Sequence, residues 1–368
     1  MKKEELYYLM ALSRIDRVGS VIAKKLLRHF DSPQKIFEVN AKELKSVEGI
    51  SDVLVKKIKS FNRFDLVENE LKFTKNNQIE ILTIFDDNYP YLLKQCVDAP
   101  LFLFYKGIDF SVYKNMLSVV GTRNITQNGI SFIKETIKNI QSYEPTIVSG
   151  YAFGADIHAH LAAVDNDLKT IAVLGHGLQQ TYPAMHKKYN QKIIENGGFL
   201  TEFWSSDAVN KENFVRRNRI VAGLSAGTVV VESAVRGGSL STARLANDYN
   251  REVMAVPGRI TDPYSAGCNH LIKTNQAHLI TSHEDIVQLM GWINPANSKP
   301  KAVQPQLFVE LSDEEQIIAD YLGKKEKELL DVISIDTGIP VHQLMVLLFN
   351  LEMKGLVKPL QGKYYQWI

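Results

Sequence analysis

Cysteine is scarce. The 368 residues hold two, Cys96 and Cys268, with no CxxC spacing and no His-spaced companion, so neither a disulfide framework nor a zinc site is indicated. A reducing, cytoplasmic setting is expected. No stretch approaches the roughly 18 apolar residues of a membrane-crossing helix. The first ten residues, MKKEELYYLM, carry acids and tyrosines where a leader peptide has an apolar run, so no membrane partner is expected. An excess of either charge is missing as well: 43 Lys and Arg face 41 Asp and Glu, a formal net charge of +2. A polyanion-binding protein with that sum must gather its cations into one patch. A metal or catalytic set is also missing. His158 and His160 follow Asp156, but residues two apart on a helix do not share a face, and the other histidines lack carboxylates at ligand spacing. Hydrogen-bonded structural histidines, no metal and no cofactor are the expectation.

What is present divides the chain into unlike parts. Residues 1–70 show helical periodicity broken by short turns, with Val21, Ile22, Leu26, Leu27 and Phe30 on one face. Within them VGSVIA at 18–23 and EGISDVLV at 48–55 each look like half of a helix-hairpin-helix pair, a glycine turn leading into a helix N-terminus. From 80 to 291 short β-branched runs at 117–120, 146–149, 170–174 and 228–231 alternate with helical stretches, and Gly121, Gly150 and Gly175 close three of them. Such runs fit central parallel strands buried on both faces. The fold class predicted is α/β: a Rossmann-like, doubly wound, mostly parallel sheet with ligands at the carboxyl ends of its strands. Residues 292–306 read as a linker, with NPANSKPKAVQPQ at 294–306. Residues 307–368 show helical stretches around 313–323, 325–337 and 341–355, then a short hairpin with Gly362 in its turn, the pattern of a winged helix. Between 306 and 368, six Lys or Arg face ten Asp or Glu, which favours a protein contact over a DNA-reading role.

The strand-ending loops hold the candidate chemistry. In SVVGTRNIT at 118–126, Gly121 and Thr122 let the backbone come close to a ligand, and Arg123 projects a fork of donors beside a helix start that Thr126 is placed to cap. This is not GxGxxG, so the fingerprint of a nicotinamide dinucleotide site is absent. In SGYAFGAD at 149–156, Gly150 and Gly154 again bracket a strand-to-helix turn. Two such turns side by side form a phosphate-binding lip, although glycines also serve plain tight turns. KENFVRRNRIVAGL at 211–224 sets four bases against one acid over 211–219, with an aromatic among them. An exposed Phe214 beside Lys211, Arg217 and Arg219 suits stacking of a base with neutralisation of its phosphates. Read alone, Phe214 fits a core position too. If helical, the segment puts Arg216 and Arg219 on one face and Arg217 about 100° away. In VESAVRGGSLSTAR at 231–244, Gly238 and Ser239 stand at another helix start, with Ser239 or Ser241 as caps and Arg244 one turn on. From 211 to 273 nine Lys or Arg face five Asp or Glu, so cations missing from the overall sum are concentrated here.

These loops, with LGHGLQQTYPAMH at 174–186, REVMAVPG at 251–258 and GCNHLI at 267–272, resemble in order and spacing the DNA-processing protein A family, DprA or Smf. The resemblance implies a protein that binds single-stranded DNA without sequence preference. It also implies loading of the RecA recombinase, protection of incoming strands in natural transformation, a homodimer, and no enzymatic activity. The implied DNA site comprises Gly121 and Arg123 with Phe214, Arg217 and Arg219, extended by Lys211 and the Gly238–Ser239 turn; Thr122, Gly150, Gly154 and Arg244 complete the candidate set. Two departures are visible: the family's SGS turn reads Gly237, Gly238, Ser239 here, and Ser51 replaces a glycine in the second hairpin turn. Leu271, Ile272, Ile286, Leu289 and Met290 are assigned to a dimer contact. The competing reading is a nucleotide-processing hydrolase of the lysine-decarboxylase-like Rossmann group. Its PGGxGTxxE motif supplies a glutamate, whereas the loop at 236–244 lacks the proline and places Arg244 where the carboxylate would be.

Overall fold

The computed structural model describes residues 3–110, 113, 115–293, 311–325, 327–360 and 364–367. Two compact units divide it, 1–295 and 296–368. The first begins with helices Lys3–Ser13, Ser20–His29, Pro33–Glu38, Ala41–Lys45, Asp52–Lys59 and Phe64–Asn76. Polar caps start several of them: the side chains of Ser32, Asn40 and Ser51 accept backbone N–H bonds from the first turn. Ser51, at φ −80°, thus starts its helix as a cap, while the left-handed turn before it falls at Gly49, φ 85°. The last of these helices runs past residue 70, because Leu66, Leu71 and Phe73 pack onto the core formed by Leu9, Leu12, Leu26, Ile36, Leu44 and Ile58. Phe102, Phe104 and Trp204 belong to that same core, so the helices are seated directly on the sheet domain. Polar ties add to the seat: Arg14 pairs with Asp207 at 2.7 Å, and Glu70 accepts from the Ser205 N–H at 2.9 Å.

Nine strands follow: β1 Glu80–Thr83, β2 Phe102–Lys106, β3 Met116–Val120, β4 Thr146–Ser149, β5 Thr170–Val173, β6 Gly197–Thr201, β7 Gly227–Val230, β8 Glu252–Ala255 and β9 His278–Leu279. Their order is β1-β2-β6-β5-β4-β3-β7-β8-β9. β3 to β9 pair in parallel, while β1 and β2 add an antiparallel edge on β6. The four β-branched runs are thus neighbouring central strands. Side chains alternate between two covered faces. Leu117, Val119, Ile147 and Val229 meet helices Gln127–Asn139 and Ala155–Asp165 through Ile133, Ile137 and Ala159. Val120, Val148 and Val230 meet helices Lys211–Leu224 and Gly238–Asp248 through Ile220, Val221, Leu240 and Ala243. Cover on both faces is what makes these strands apolar throughout. The chain leaves β3 toward β4 on one side and returns after β6 to β7 on the other, which creates a crevice at the carboxyl end of β3.

The apolar residues at 270–290 serve the chain's own cores at least in part: Leu271 and Ile286 are buried, and Ile272, Leu289 and Met290 pack half-buried against the same two cores.

In the second unit helices Asp313–Leu322, Leu330–Thr337 and Val341–Met353 enclose Ile318, Leu322, Ile333, Leu344, Leu348 and Leu351. A small sheet, β10 Glu328–Leu329, β12 Tyr364–Trp367 and β11 Val357–Leu360 in spatial order, completes a winged helix. The helical stretch expected from 325 starts at Leu330 instead, because Glu328 and Leu329 pair antiparallel with Tyr365 and Tyr364. The linker at 294–306 and the Gly362 turn lie outside the described residues. No single helix among the described residues is long and apolar enough to cross a membrane.

Candidate functional site

The loops that follow β3, β4 and β7 are tied to one another before any side chain is considered. The Thr122 N–H donates to the Glu232 carbonyl at 2.6 Å, and the Ala155 N–H donates to the Thr122 carbonyl at 3.1 Å. The Glu232 carboxylate then accepts from the Thr126 N–H at 2.9 Å and the Thr126 hydroxyl at 2.5 Å. Thr126 also caps helix Gln127–Asn139, as its sequence position suggested, by accepting from the Gly129 N–H. Gly154 sits at φ +75°, and a Cβ there would strike the Thr122 carbonyl, so only glycine allows the two loops to touch. Tyr151 holds φ 61°, with its buried hydroxyl 2.9 Å from both the His186 carbonyl and Asn190 Oδ1. Strain of this kind persists only where the surroundings fix it.

A cleft of about 450 Å³ opens between these loops and the first turns of helix Lys211–Leu224, whose start is capped by Asn210. Gly121, Thr122, Arg123, Gly150, Lys211, Phe214, Arg217, Gly238 and Ser239 line it. Lys211 and Arg123 are exposed, and neither side chain makes an ion pair or a hydrogen bond among the described residues. Phe214 is half-buried rather than exposed: its ring rests at 5.3 Å from that of Tyr182, and a Cβ on Gly175 would collide with it. Its remaining surface forms part of the cleft wall.

Arg217 is 4% exposed and donates from Nη1 to the Val173 carbonyl at 2.7 Å, while its Nε has no partner. Asp156 also lines the cleft, buried at 8% exposure, and accepts from the Ala152 N–H at 3.3 Å. Burial draws the Arg217 guanidinium down to about 10, against the pull of Asp156. Burial likewise raises the Asp156 carboxyl above its ordinary range, against the pull of Arg217. For both groups loss of solvent outweighs the partner. A Cβ on Gly150 would run into the Arg217 guanidinium, so this cleft-lining glycine makes room for an arginine. Gly238 is the opposite case. A Cβ there would meet nothing within 4 Å, so no protein neighbour demands glycine, and its absence of side chain leaves the cleft floor open. With Arg123, Lys211 and Arg217 against Asp156, and two helix starts at its rim, the cleft can accept an anion and rest a flat ring on Phe214.

Other expected residues lie elsewhere. Gly154 belongs to a neighbouring hollow that shares only Arg123 with the cleft. Arg219 is turned away from the cleft: it donates to Glu202 at 2.5 Å and to the Asp98 carbonyl at 2.5 Å, and its side chain is 9% exposed. Arg244 is exposed beside Arg216 and Arg219 in a separate hollow. Neither Ser239 nor Ser241 caps helix Gly238–Asp248; Gly237 holds that position, and the Ser239 hydroxyl donates to Ser233 Oγ at 2.8 Å. Sequence reasoning missed Asp156 as the partner of Arg217 and Asn218 as a bond from the helix to the Gly238 carbonyl. It also gave no role to Glu232 and Glu202. Only Asp156 had a visible signal, an acid lying two residues past Gly154 in a glycine loop. The buried histidines are structural, as expected: His160 Nδ1 bonds Thr170 Oγ1, His176 Nδ1 bonds the Gly177 carbonyl and His186 Nδ1 bonds the Tyr151 carbonyl. No cluster of three His, Cys, Asp or Glu able to hold a metal occurs among the described residues.

A doubly wound, mostly parallel sheet with a cationic, aromatic-edged cleft at its crevice places the protein in the Rossmann-like class. The chain belongs to the DNA recombination-mediator protein A family, the DprA or Smf proteins, whose model matches residues 80–291. A SAM-like helix-hairpin-helix tandem matches residues 9–62, and the DprA winged helix domain matches 300–363. Protein Smf of Escherichia coli is 33% identical over 305 residues, covering 81% of this chain and 80% of that one. DNA processing protein DprA of Streptococcus pneumoniae is 41% identical over 206 residues, 56% of this chain and 72% of that one. The X-ray structure of the Streptococcus pneumoniae DprA aligns with a TM-score of 0.65 at 31% identity, covering 78% of this chain and 98% of that one. A structure that addresses the single-stranded DNA binding mode of Helicobacter pylori DNA processing protein A aligns with a TM-score of 0.53 at 27% identity, covering 59% and 98%.

Proposed function

We propose that this protein is not an enzyme but a binder of single-stranded DNA without sequence preference, working in the cytoplasm as a homodimer. In this reading it protects incoming strands in natural transformation and loads RecA recombinase onto them. The observation that carries the proposal is the pair of exposed cations Arg123 and Lys211, without a side-chain partner among the described residues, that line the cleft with Phe214. Cations beside an aromatic face are what a strand of any sequence can use, since every nucleotide offers a phosphate and a π-face. The names of the relatives, a recombination mediator family and a DprA with a single-stranded DNA binding mode, support the same reading.

The test is an anisotropy titration of a labelled oligothymidylate with the wild type and with Arg123→Glu/Phe214→Ala. A lost stack costs about 1–3 kcal/mol and charge reversal removes a phosphate contact, so the expected loss is on the order of a hundredfold. Log affinity should fall linearly with log salt, by about 0.7 for each phosphate contact. Undiminished binding by the double variant rejects the site, and salt-independent binding points to a small nucleotide instead. The same variant should fail to speed RecA filament assembly on a coated strand, and a monomer in sedimentation at micromolar concentration would overturn the homodimer.

A further inference from the structure

Arg123 stands on a ridge, lining the cleft on one side and on the other a second hollow of about 610 Å³. That hollow exposes apolar and aromatic surface: Phe153, whose ring meets that of His186 edge-on at 4.9 Å, is 41% exposed, and Met185 is 70% exposed. Tyr189 lies at its wall with the Lys188 ammonium 4.9 Å over the ring, and Lys188 has no ion pair among the described residues. No carboxylate lines the hollow. Phe153 and Met185 come from the 149–160 and 174–186 stretches, and neither side chain takes part in the cleft.

An apolar protein segment laid here would desolvate Arg123 and Lys188 without compensation. A nucleotide matches both features, its base on the Phe153 ring and its phosphate between the two cations. Because Arg123 borders both hollows, the matching occupant is the continuation of whatever strand fills the cleft. We infer that the hollow of Phe153 and Lys188 is a second nucleotide subsite, so that one strand passes over Arg123 from the Phe214 cleft to the Phe153 hollow. The inference rests on the single-stranded DNA reading above and adds the direction in which the strand leaves the cleft.

Oligothymidylates of increasing length test it, with the wild type, Phe153→Ala, Lys188→Glu and Phe214→Ala compared by anisotropy. For a strand of roughly twelve nucleotides, Phe153→Ala should bind about tenfold more weakly, the loss of one base stack. Lys188→Glu should lower the salt slope by about 0.7, one phosphate contact on a single strand. For a strand of roughly three nucleotides, which the cleft alone can hold, both variants should bind as the wild type does, while Phe214→Ala weakens binding at either length. Retained short-strand binding also shows that the variants are folded. Wild-type affinity for long strands in both hollow variants overturns the second subsite while leaving the cleft intact, and so does an equal loss at both lengths. A wild type that binds no strand at all overturns the underlying reading as well.

Discussion

The two flanks of helix Lys211–Leu224 carry the same residue types and come to opposite ends. On the cleft flank Lys211 has no ion pair or side-chain hydrogen bond among the described residues, and Arg217 lines the cleft with Asp156 beside it. On the other flank Arg216 and Arg219 converge on one buried carboxylate, Glu202, at 2.9 and 2.5 Å. A cation's availability is therefore set by the carboxylate that the fold brings to it, not by its rank in a basic run. Arg219 is a structural arginine inside a sequence stretch that reads as a binding site, and Arg123, alone in its loop, is the freer charge.

The largest effect is expected at Arg217. Arg217→Leu leaves Asp156 and the Val173 carbonyl buried without their partner and should cost about 3–5 kcal/mol in urea unfolding. A loss under about 1 kcal/mol would show that the cleft flank is no more integrated than a surface pair. Acid probes the same region through His160, which lies within the field of Arg217 and is held neutral by burial, its value down to about 3. That folded value lies below the ordinary 6.5, so the stabilisation is complete above about pH 6.5 and is lost as pH falls. Unfolding free energy should drop by on the order of 2 kcal/mol between about pH 6.5 and pH 5, and His160→Gln should flatten that slope. Next comes Arg219→Ala, expected to cost about 1–2 kcal/mol because Arg216 still meets Glu202, with strand affinity of the folded protein unchanged. The smallest stability effect belongs to Arg123→Ala, within about 0.5 kcal/mol, although it should weaken strand binding several-fold. Reversed outcomes for Arg219 and Arg123 would abolish the distinction between the flanks.

The central strands were legible in sequence because burial on both faces writes itself into consecutive β-branched residues, as in Thr146-Ile147-Val148-Ser149. The cleft was legible where function and local spacing coincide: Lys211 and Phe214 sit one helical turn apart, and Arg123 follows its strand directly. Arg219 was not, because its partner Glu202 comes from the loop after β6 and nothing near 219 announces it. The second demand on Gly150 was hidden for the same reason, since the guanidinium that requires glycine there arrives from helix Lys211–Leu224. The start of the second winged-helix helix was misplaced because Glu328 and Leu329 take their conformation from Tyr364 and Tyr365, beyond the reach of local periodicity. Local patterns record a residue's own element well, and its distant neighbours hardly at all.

The lacing of the three loops by Thr122, Thr126, Ala155 and Glu232 bears on the entropy of association. Loops joined in that way have little conformational freedom to surrender, so the cleft is preorganised and the ordering penalty of binding falls on the ligand. A strand that must first melt its own hairpins carries the whole of that penalty. Of two oligonucleotides with equal length and charge, the one without internal pairing should therefore be held more tightly.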